Sequence, residues 1–161
     1  LNVEGTLDMT RSLLAFREPF VPFRIVNVAS LAAFYPMPVK ATYAASKRFL
    51  LDFSLALGAE VRGLGATVTA LCPAGLPTTA GCIQAIDAQG LMGHLTTMDI
   101  GAVANQTLDA ALHGKAVIIP GRINQAIQFL GSLVPTPLVV NLIGTRWQAA
   151  RTKQGLALQS T

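Results

Sequence analysis

The sequence is poor in charged residues, cysteine and histidine, and each shortage excludes a class of protein. Only 12% of its 161 residues are charged and 52% are hydrophobic, whereas chains that stay disordered are highly charged and weakly hydrophobic. Two cysteines are too few for a disulfide framework, and no cysteine or histidine has partners at metal-ligand spacing. We therefore expect a single globular domain over residues 1–161, with no metal.

Long apolar runs are also missing. A spanning helix needs about 18 or more apolar residues in succession, and the richest segment, 126–143, is interrupted by Gln128, Asn141, Pro135 and Pro137. The amino terminus lacks the basic flank and apolar run of a secretory signal. These absences predict a cytoplasmic protein.

Acidic residues are absent from the last third of the sequence. Residues 1–109 hold seven basic and eight acidic groups, whereas residues 110–161 hold five basic groups and no acidic one. Such a tail is compatible with contact to an anionic membrane surface and with an ordinary solvated helical face. We favour the solvated face, and the modest basic charge gives little support to nucleic-acid binding.

Helical and strand patterns alternate along the chain. Short β-branched runs predict strands buried on both faces over residues 24–30, 66–73 and 115–121. Helical spacing predicts helices over residues 1–16, 41–62 and 98–113, and two more within the carboxyl-terminal region 122–161. This order predicts an α/β fold with a parallel sheet and helices on both faces.

Small residues and glycines determine the predicted ends of these elements. Gly63 is placed to end the 41–62 helix in a left-handed conformation, and Thr97 to cap the start of the 98–113 helix. Residues 79–96 are rich in small residues and predict a loop with a weak helical pattern over residues 81–89.

Three polar residues collect where a parallel sheet binds ligands, at the carboxyl ends of its strands. Ser30 ends the first predicted strand, and Tyr43 and Lys47 lie one helical turn apart on one face of the next helix. An ammonium beside a phenol favours the phenolate and lowers a pKa that is ordinarily about 10. Tyrosine then serves as proton donor and acceptor, and the serine hydroxyl can hold the substrate oxygen. This chemistry suits carbonyl reduction or alcohol oxidation when another group carries the hydride.

Apolar residues between Ser30 and Tyr43 are candidates for a substrate pocket. Phe34, Tyr35 and Met37 lie in the connection between strand and helix, where a loop overhangs a site at the strand ends. Plain packing is an equally good interpretation of these three residues.

Taken together, the motifs resemble those of the short-chain dehydrogenase/reductase family of the ordinary, non-extended type. The family places a serine at the end of its fifth strand and then Y-x-[AS]-[AS]-K, which "YAASK" at residues 43–47 matches. Its N-x-x-G segment is matched by "NVEG" at residues 2–5. Its P-G-x-x-x-T segment is matched by "PAGLPT" at residues 73–78, with Ala74 at the usual glycine position.

The resemblance implies an oxidoreductase that uses NAD or NADP. Its catalytic residues would be Tyr43 as acid and base, Lys47 as the group that lowers the tyrosine pKa and binds the nicotinamide ribose, Ser30 as the substrate-holding hydroxyl, and Asn2 as the holder of a relay water. The implied cofactor-binding residues are Tyr43, Lys47, Pro73, Gly75, Leu76 and Thr78.

The resemblance also predicts the architecture around this site. The three strands would be the fifth to seventh of a Rossmann-like, doubly wound parallel sheet. Residues 79–96 would form a variable substrate loop for a small apolar carbonyl or alcohol, and the long helices would build a homo-oligomer.

The family's glycine-rich cofactor turn lies upstream of these motifs and is not in this sequence. Gly63 and Gly65 belong to a helix-to-strand turn and do not replace it. We therefore expect an unpaired edge on the first strand and little activity from this chain alone. The alternative is a non-catalytic oligomerisation or interaction remnant of such an enzyme. A nucleotide-sugar epimerase shares Y-x-x-x-K but usually needs a larger carboxyl-terminal domain.

Overall fold

The computed structural model describes residues 3–145, in which three strands alternate with helices. The strands are β1 (Phe23–Val28), β2 (Ala66–Leu71) and β3 (Val117–Ile118). The helices are α1 (Glu4–Ala15), α2 (Ala41–Val61), α3 (Ala80–Ala88), α4 (Leu91–Thr96), α5 (Ile100–Leu112), α6 (Arg122–Ser132) and α7 (residues 136–145). Two short 3-10 turns occupy Leu31–Phe34 and Arg62–Leu64.

The strands form one parallel sheet in the order β1-β2-β3. Phe23 lies opposite Ala66, Val28 opposite Leu71, and Ala70 opposite Val117. The predicted α/β class with parallel strands is confirmed. Within residues 3–145, the outer edge of β1 pairs with no other strand.

Helices cover both faces of this sheet. On one face, Leu14 of α1 and Val61 of α2 pack with Ile25 and Val68 of the strands. On the other face, α5 buries four residues, Val103, Thr107, Ala110 and Ala111.

The prediction that β1 is buried on both faces is wrong. Ile25 and Asn27 are buried, Val26 between them is partly buried, and Arg24 and Val28 on either side are exposed. Alternate residues of a strand point to opposite faces, so only the β1 face toward α2 is well covered. The central strand β2 is buried almost throughout, as predicted.

Two predicted helix ends are displaced. The chain continues past Val61 in a 3-10 turn, so the left-handed residue is Gly65, at φ 72°, and not Gly63. Helix α5 is capped by Asp99, whose Oδ1 accepts from Ala102 N at 2.8 Å, and not by Thr97. The Thr97 hydroxyl instead donates to Gly93 O at 2.8 Å, at the end of α4.

Residues 79–96 are more ordered than the predicted loop, because local caps start two helices there. The Thr79 hydroxyl accepts from Cys82 N and caps α3. Gly90, at φ 61°, turns the chain from α3 into α4.

The predicted carboxyl-terminal helices are α6 and α7, which meet near Pro135. The Tyr35 hydroxyl donates to the carbonyls of Ile127 and Gln128, at 3.0 and 2.9 Å, and so ties α6 to the loop after β1. A Cβ on Gly131 would overlap the Tyr35 ring, so this approach requires glycine. None of the helices within residues 3–145 has the length and apolar character needed to cross a bilayer.

Candidate active site

Ser30 lies where the carboxyl ends of β1 and β2 meet. Ala29 N donates to Leu71 O and Leu31 N donates to Pro73 O, both at 2.8 Å, so Ser30 is held on both sides against the end of β2. Its own Oγ accepts from Ala32 N at 3.1 Å. The hydroxyl hydrogen is not used by that bond and can still be donated to a substrate oxygen.

Tyr43 and Lys47 lie together on the first turns of α2. The Lys47 Nζ is 5.9 Å from the centroid of the Tyr43 ring, within the range of a cation-π contact. It also donates to Val28 O at 2.8 Å, two residues before Ser30. Lys47 therefore links the end of β1 to Tyr43. The four-residue spacing predicts the proximity of the Tyr43 and Lys47 side chains.

The Tyr43 side chain is 42% exposed, so a ligand can reach it. Within residues 3–145, its hydroxyl makes no hydrogen bond. The phenol oxygen is therefore available to exchange a proton with a bound ligand.

A buried cysteine lies beneath this pair and was missed as part of the site. Burial lowers the pKa of the Lys47 ammonium, and a Cys72 thiolate nearby would raise it. Burial also raises the pKa of the Cys72 thiol to about 11, so at neutral pH Cys72 is uncharged. The charge of Lys47 is thus not neutralised by its buried neighbour. Cys72 directly follows Leu71 of β2, and parallel pairing with β1 would have placed it near Ser30.

The loop at residues 73–78 offers the polar groups that a nicotinamide carboxamide needs. Within the described part of the chain, the backbone N–H groups of Ala74, Gly75 and Leu76 donate no hydrogen bond. Thr78 N donates to Leu76 O at 2.9 Å in a tight turn, and the Thr78 side chain is exposed. These donors, with the Lys47 ammonium, fit the nicotinamide half of NAD or NADP.

Helix α3 supports this loop from one side. A Cβ on Gly75 would lie 3.1 Å from Ile86 Cγ1, so the loop packs closely on α3. The Thr78 hydroxyl lies 3.4 Å from Cys82 Sγ. Hydrogen bonds with the Thr78 and Thr79 side chains lower the pKa of the exposed Cys82 thiol.

Phe34, Tyr35 and Met37 line one apolar groove of about 530 Å³. The groove also contacts Ala44 and Arg48 of α2, which project from a different face of the helix than Tyr43 does. Tyr43 instead lines a separate depression of about 440 Å³, with residues 39–42. The structure thus brings the three candidate substrate residues together, in a groove whose lining does not include Tyr43.

Asn2 lies outside the described residues. A third depression, distinct from the two described above, is lined by Lys47 and by Gly5 and Thr6 at the start of α1. The beginning of α1 and the Lys47 side chain therefore open onto one shared depression.

Comparison with known proteins decides the family. The family model for short chain dehydrogenase matches residues 1–85, which include Ser30, Tyr43, Lys47 and the loop at residues 73–78. The chain belongs to the short-chain dehydrogenase family. The resemblance inferred from the motifs is confirmed.

Curated relatives of this short-chain dehydrogenase chain are oxidoreductases. It is 44% identical over 68 residues to a very-long-chain 3-oxoacyl-CoA reductase of Laccaria bicolor, covering 42% of this chain and 20% of the reductase. It is 35% identical over 77 residues to the 17-beta-hydroxysteroid dehydrogenase type 3 of Mus musculus, covering 48% and 25%. It is 38% identical over 73 residues to a sulfoacetaldehyde reductase of Chromohalobacter salexigens, covering 45% and 29%. The chain thus matches less than a third of the length of each of these relatives.

Among solved structures, the chain is similar to the bulky-bulky ketone specific alcohol dehydrogenase from Comamonas testosteroni. The TM-score is 0.46 at 28% identity, covering 69% of this chain and 43% of that one.

Proposed function

We propose that the protein carrying this chain is an NAD(P)-dependent oxidoreductase that interconverts a ketone and a secondary alcohol. The observation that carries the proposal is Lys47, held between Val28 O and the Tyr43 ring at the carboxyl end of the sheet. The relatives' names add support, because one is a 3-oxoacyl reductase and another a hydroxysteroid dehydrogenase. Both names describe an oxo or hydroxy group as the reacting centre.

In the direction of reduction, the chain's own residues supply the proton. A nicotinamide cofactor, when bound, would supply the hydride for the carbonyl carbon. As the carbonyl double bond opens, the Ser30 hydroxyl hydrogen-bonds the substrate oxygen and Tyr43 gives that oxygen its phenolic proton. The Lys47 ammonium stabilises the phenolate that remains. We assign to Asn2 the water that returns a proton to Tyr43.

Different residues would position the cofactor and the substrate. Pro73, Gly75, Leu76 and Thr78 would hold the carboxamide, and Tyr43 and Lys47 would contact the nicotinamide ribose. Phe34, Tyr35 and Met37 would receive the apolar part of the substrate, because the groove they line is almost entirely apolar. Which of NAD and NADP is used depends on residues that this sequence does not contain.

We further propose that this chain by itself has little turnover. The sequence has no glycine-rich turn between a strand and a helix, and such a turn supplies the backbone donors for a pyrophosphate. We also propose a homo-oligomer through the long helices and a cytoplasmic location.

Replacement of Tyr43 tests the function. In the polypeptide that carries this sequence in its source, we expect oxidation of NADH or NADPH in the presence of ketones. Tyr43→Phe removes the proton donor, which contributes about 10²-fold to 10⁴-fold to such reactions, and we expect a kcat loss in that range. Lys47→Met and Ser30→Ala are expected to lower kcat as well.

Matched variants control for non-specific effects. Lys115→Met and Ser132→Ala change the same residue types at exposed positions and should retain the parent rate. A Tyr43→Phe protein that turns over at the parent rate would rule the proposal out.

An interaction remnant is the second candidate, and exposed apolar residues favour it. Met9 and Leu13 of α1 and Phe49 of α2 are exposed, and Phe49 stacks on Phe53 with centroids 6.0 Å apart. This candidate predicts self-association through α1 and α2 with no oxidoreductase activity in any variant. The kinetic comparison above therefore separates the two.

A further inference from the structure

Helix α6 has its polar and apolar faces reversed relative to an ordinary surface helix. A helix on a globular protein usually turns its apolar stripe toward the core. In α6 the buried residue is Asn124, at 2% exposure, and the partly buried residues on the same side are Ile127, Gln128 and Gly131. Ile123, Phe129, Leu130 and Leu133, which are between 48% and 67% exposed, project away from the protein. We call these four residues the outer face.

Hydrogen bonds hold the polar side of α6 inward. Asn124 Nδ2 donates to Pro120 O at 2.8 Å and to Thr96 O at 3.1 Å. The Tyr35 hydroxyl contacts the carbonyls of Ile127 and Gln128. Turning the helix over would break these bonds and leave buried polar groups unpaired, which is costly. These hydrogen bonds therefore fix the orientation in which the apolar outer face is exposed.

Helix α7 continues the exposed apolar surface. Leu138 and Leu142, one helical turn apart, are 58% and 63% exposed. The other side of α7 is packed against the protein: Val139 is buried, and Gly144 lies against Pro38. Two consecutive helices thus each bury one side and present large aliphatic or aromatic side chains on the other.

Arg122 is the only charged residue of helix α6. Arg122 projects from α6 near Phe129 and Leu133 on the helical wheel, and no carboxylate within residues 3–145 forms an ion pair with it. The sequence after Asp109 holds five basic side chains and no acidic one. Two copies of the chain joined through this surface would bring like charges together, whereas an anionic lipid surface would be attracted.

We propose that α6 lies on the surface of an anionic lipid bilayer, with its outer face among the acyl chains and Arg122 at the headgroups. A helix of 11 residues with an apolar face and a basic first residue suits this interfacial position, in the plane of the membrane and not across it. The surface proposed here does not depend on the oxidoreductase function.

Sedimentation with lipid vesicles tests the proposal on the 161-residue chain. We expect binding to vesicles of phosphatidylcholine mixed with phosphatidylglycerol, and much weaker binding to phosphatidylcholine alone. The double variant Phe129→Ser with Leu133→Ser should weaken binding at least about tenfold, because two large apolar side chains leave the membrane. Arg122→Gln should weaken it about fivefold, because one basic residue near an anionic surface contributes about 1 kcal/mol.

A matched double variant controls for general loss of hydrophobicity. Leu91→Ser with Leu112→Ser removes two leucines that are 75% and 70% exposed on α4 and α5, and it should bind as the parent does. Circular dichroism melting checks that each variant is folded. If the outer-face variant does not fold, the Arg122→Gln result and its dependence on phosphatidylglycerol still decide.

Several results would overturn the membrane assignment. They are absence of vesicle binding, equal binding to both lipid compositions, and unchanged binding of the outer-face variant. A dimer in analytical ultracentrifugation that the outer-face variant dissociates, with no vesicle binding, would assign the surface to a second copy.

Discussion

Cys72 and Lys47 are coupled beneath the candidate site, and the coupling affects how the protein responds to alkali. The thiol is fully buried and its pKa is raised to about 11, mainly by burial. A group whose pKa is higher in the folded state stabilises the fold below its ordinary pKa, and that stability is lost as the pH rises through the folded value. For Cys72 this window runs from its ordinary value of 9.0 to about 11.

Replacement of Cys72 isolates this effect. The rise of the Cys72 pKa from 9.0 to about 11 corresponds to about 2 to 3 kcal/mol of unfolding free energy. We therefore expect the difference in unfolding free energy between the parent and Cys72→Ala to fall by about 2 kcal/mol between pH 8 and pH 11. Urea unfolding at a series of pH values measures it. The lowered pKa of Lys40 acts in the opposite direction in both proteins and cancels in the difference. The Lys47 contribution changes with Cys72, because the two groups interact, and it is part of the measured effect. A pH-independent difference would contradict the assignment.

At the residue scale, the sequence predicts neighbours that follow from a helical period and misses neighbours that depend on packing. The Tyr43 and Lys47 pair follows from a spacing of four. The hydrogen bond from Lys47 to Val28 O depends on how far α2 is shifted along β1. No local pattern contains that shift, so the bond could not be predicted.

At the scale of elements, a buried polar pair joins β1 to α2. Asn27 Nδ2 donates to Ser54 Oγ at 3.0 Å, and Ser54 Oγ donates to Leu50 O at 2.6 Å. Asn27 and Ser54 are both buried, so the Asn27 amide needs the Ser54 hydroxyl as its acceptor.

A double-mutant cycle tests this connection. Ser54→Ala leaves the Asn27 amide unpaired and should lower the unfolding free energy by about 1 to 3 kcal/mol. Adding Asn27→Leu removes the stranded amide and should restore part of that loss. Ser46, on the same helix, donates to Tyr43 O, and Ser46→Ala should change stability by less than about 0.5 kcal/mol. Strictly additive effects of Ser54→Ala and Asn27→Leu would show that the pair is not coupled.

Element types were more predictable than element ends. The strands and the long helix α2 follow from composition and period, whereas the end of α2 depends on a 3-10 turn that moves the left-handed glycine to Gly65. Helix α3 was indicated only by a weak helical pattern over residues 81–89, and α4 was missed, because small residues and glycines dominate residues 79–96. Their caps, Thr79 and Gly90, are local signals that favour helices there.

At the scale of the whole molecule, the order of elements predicted the sheet, and the site at its carboxyl end followed. The separation of the apolar groove from Tyr43 was not predictable, because Ala44 and Arg48 turn a different face of α2 toward the loop after β1. The reversed orientation of α6 was also not predictable. It depends on the contacts of Asn124 and Tyr35 with distant carbonyls.

Transfer of a labelled hydride is the most direct test of the proposed oxidoreductase. The polypeptide that carries this sequence in its source is incubated with a ketone and with NADH or NADPH that carries deuterium at the transferable position. We predict a secondary alcohol that is one mass unit heavier, with the deuterium on the former carbonyl carbon, and almost no such product from Tyr43→Phe. Absence of deuterium from the alcohol, or equal labelling by the parent and Tyr43→Phe, would contradict the assignment of Tyr43 as the proton donor in hydride transfer.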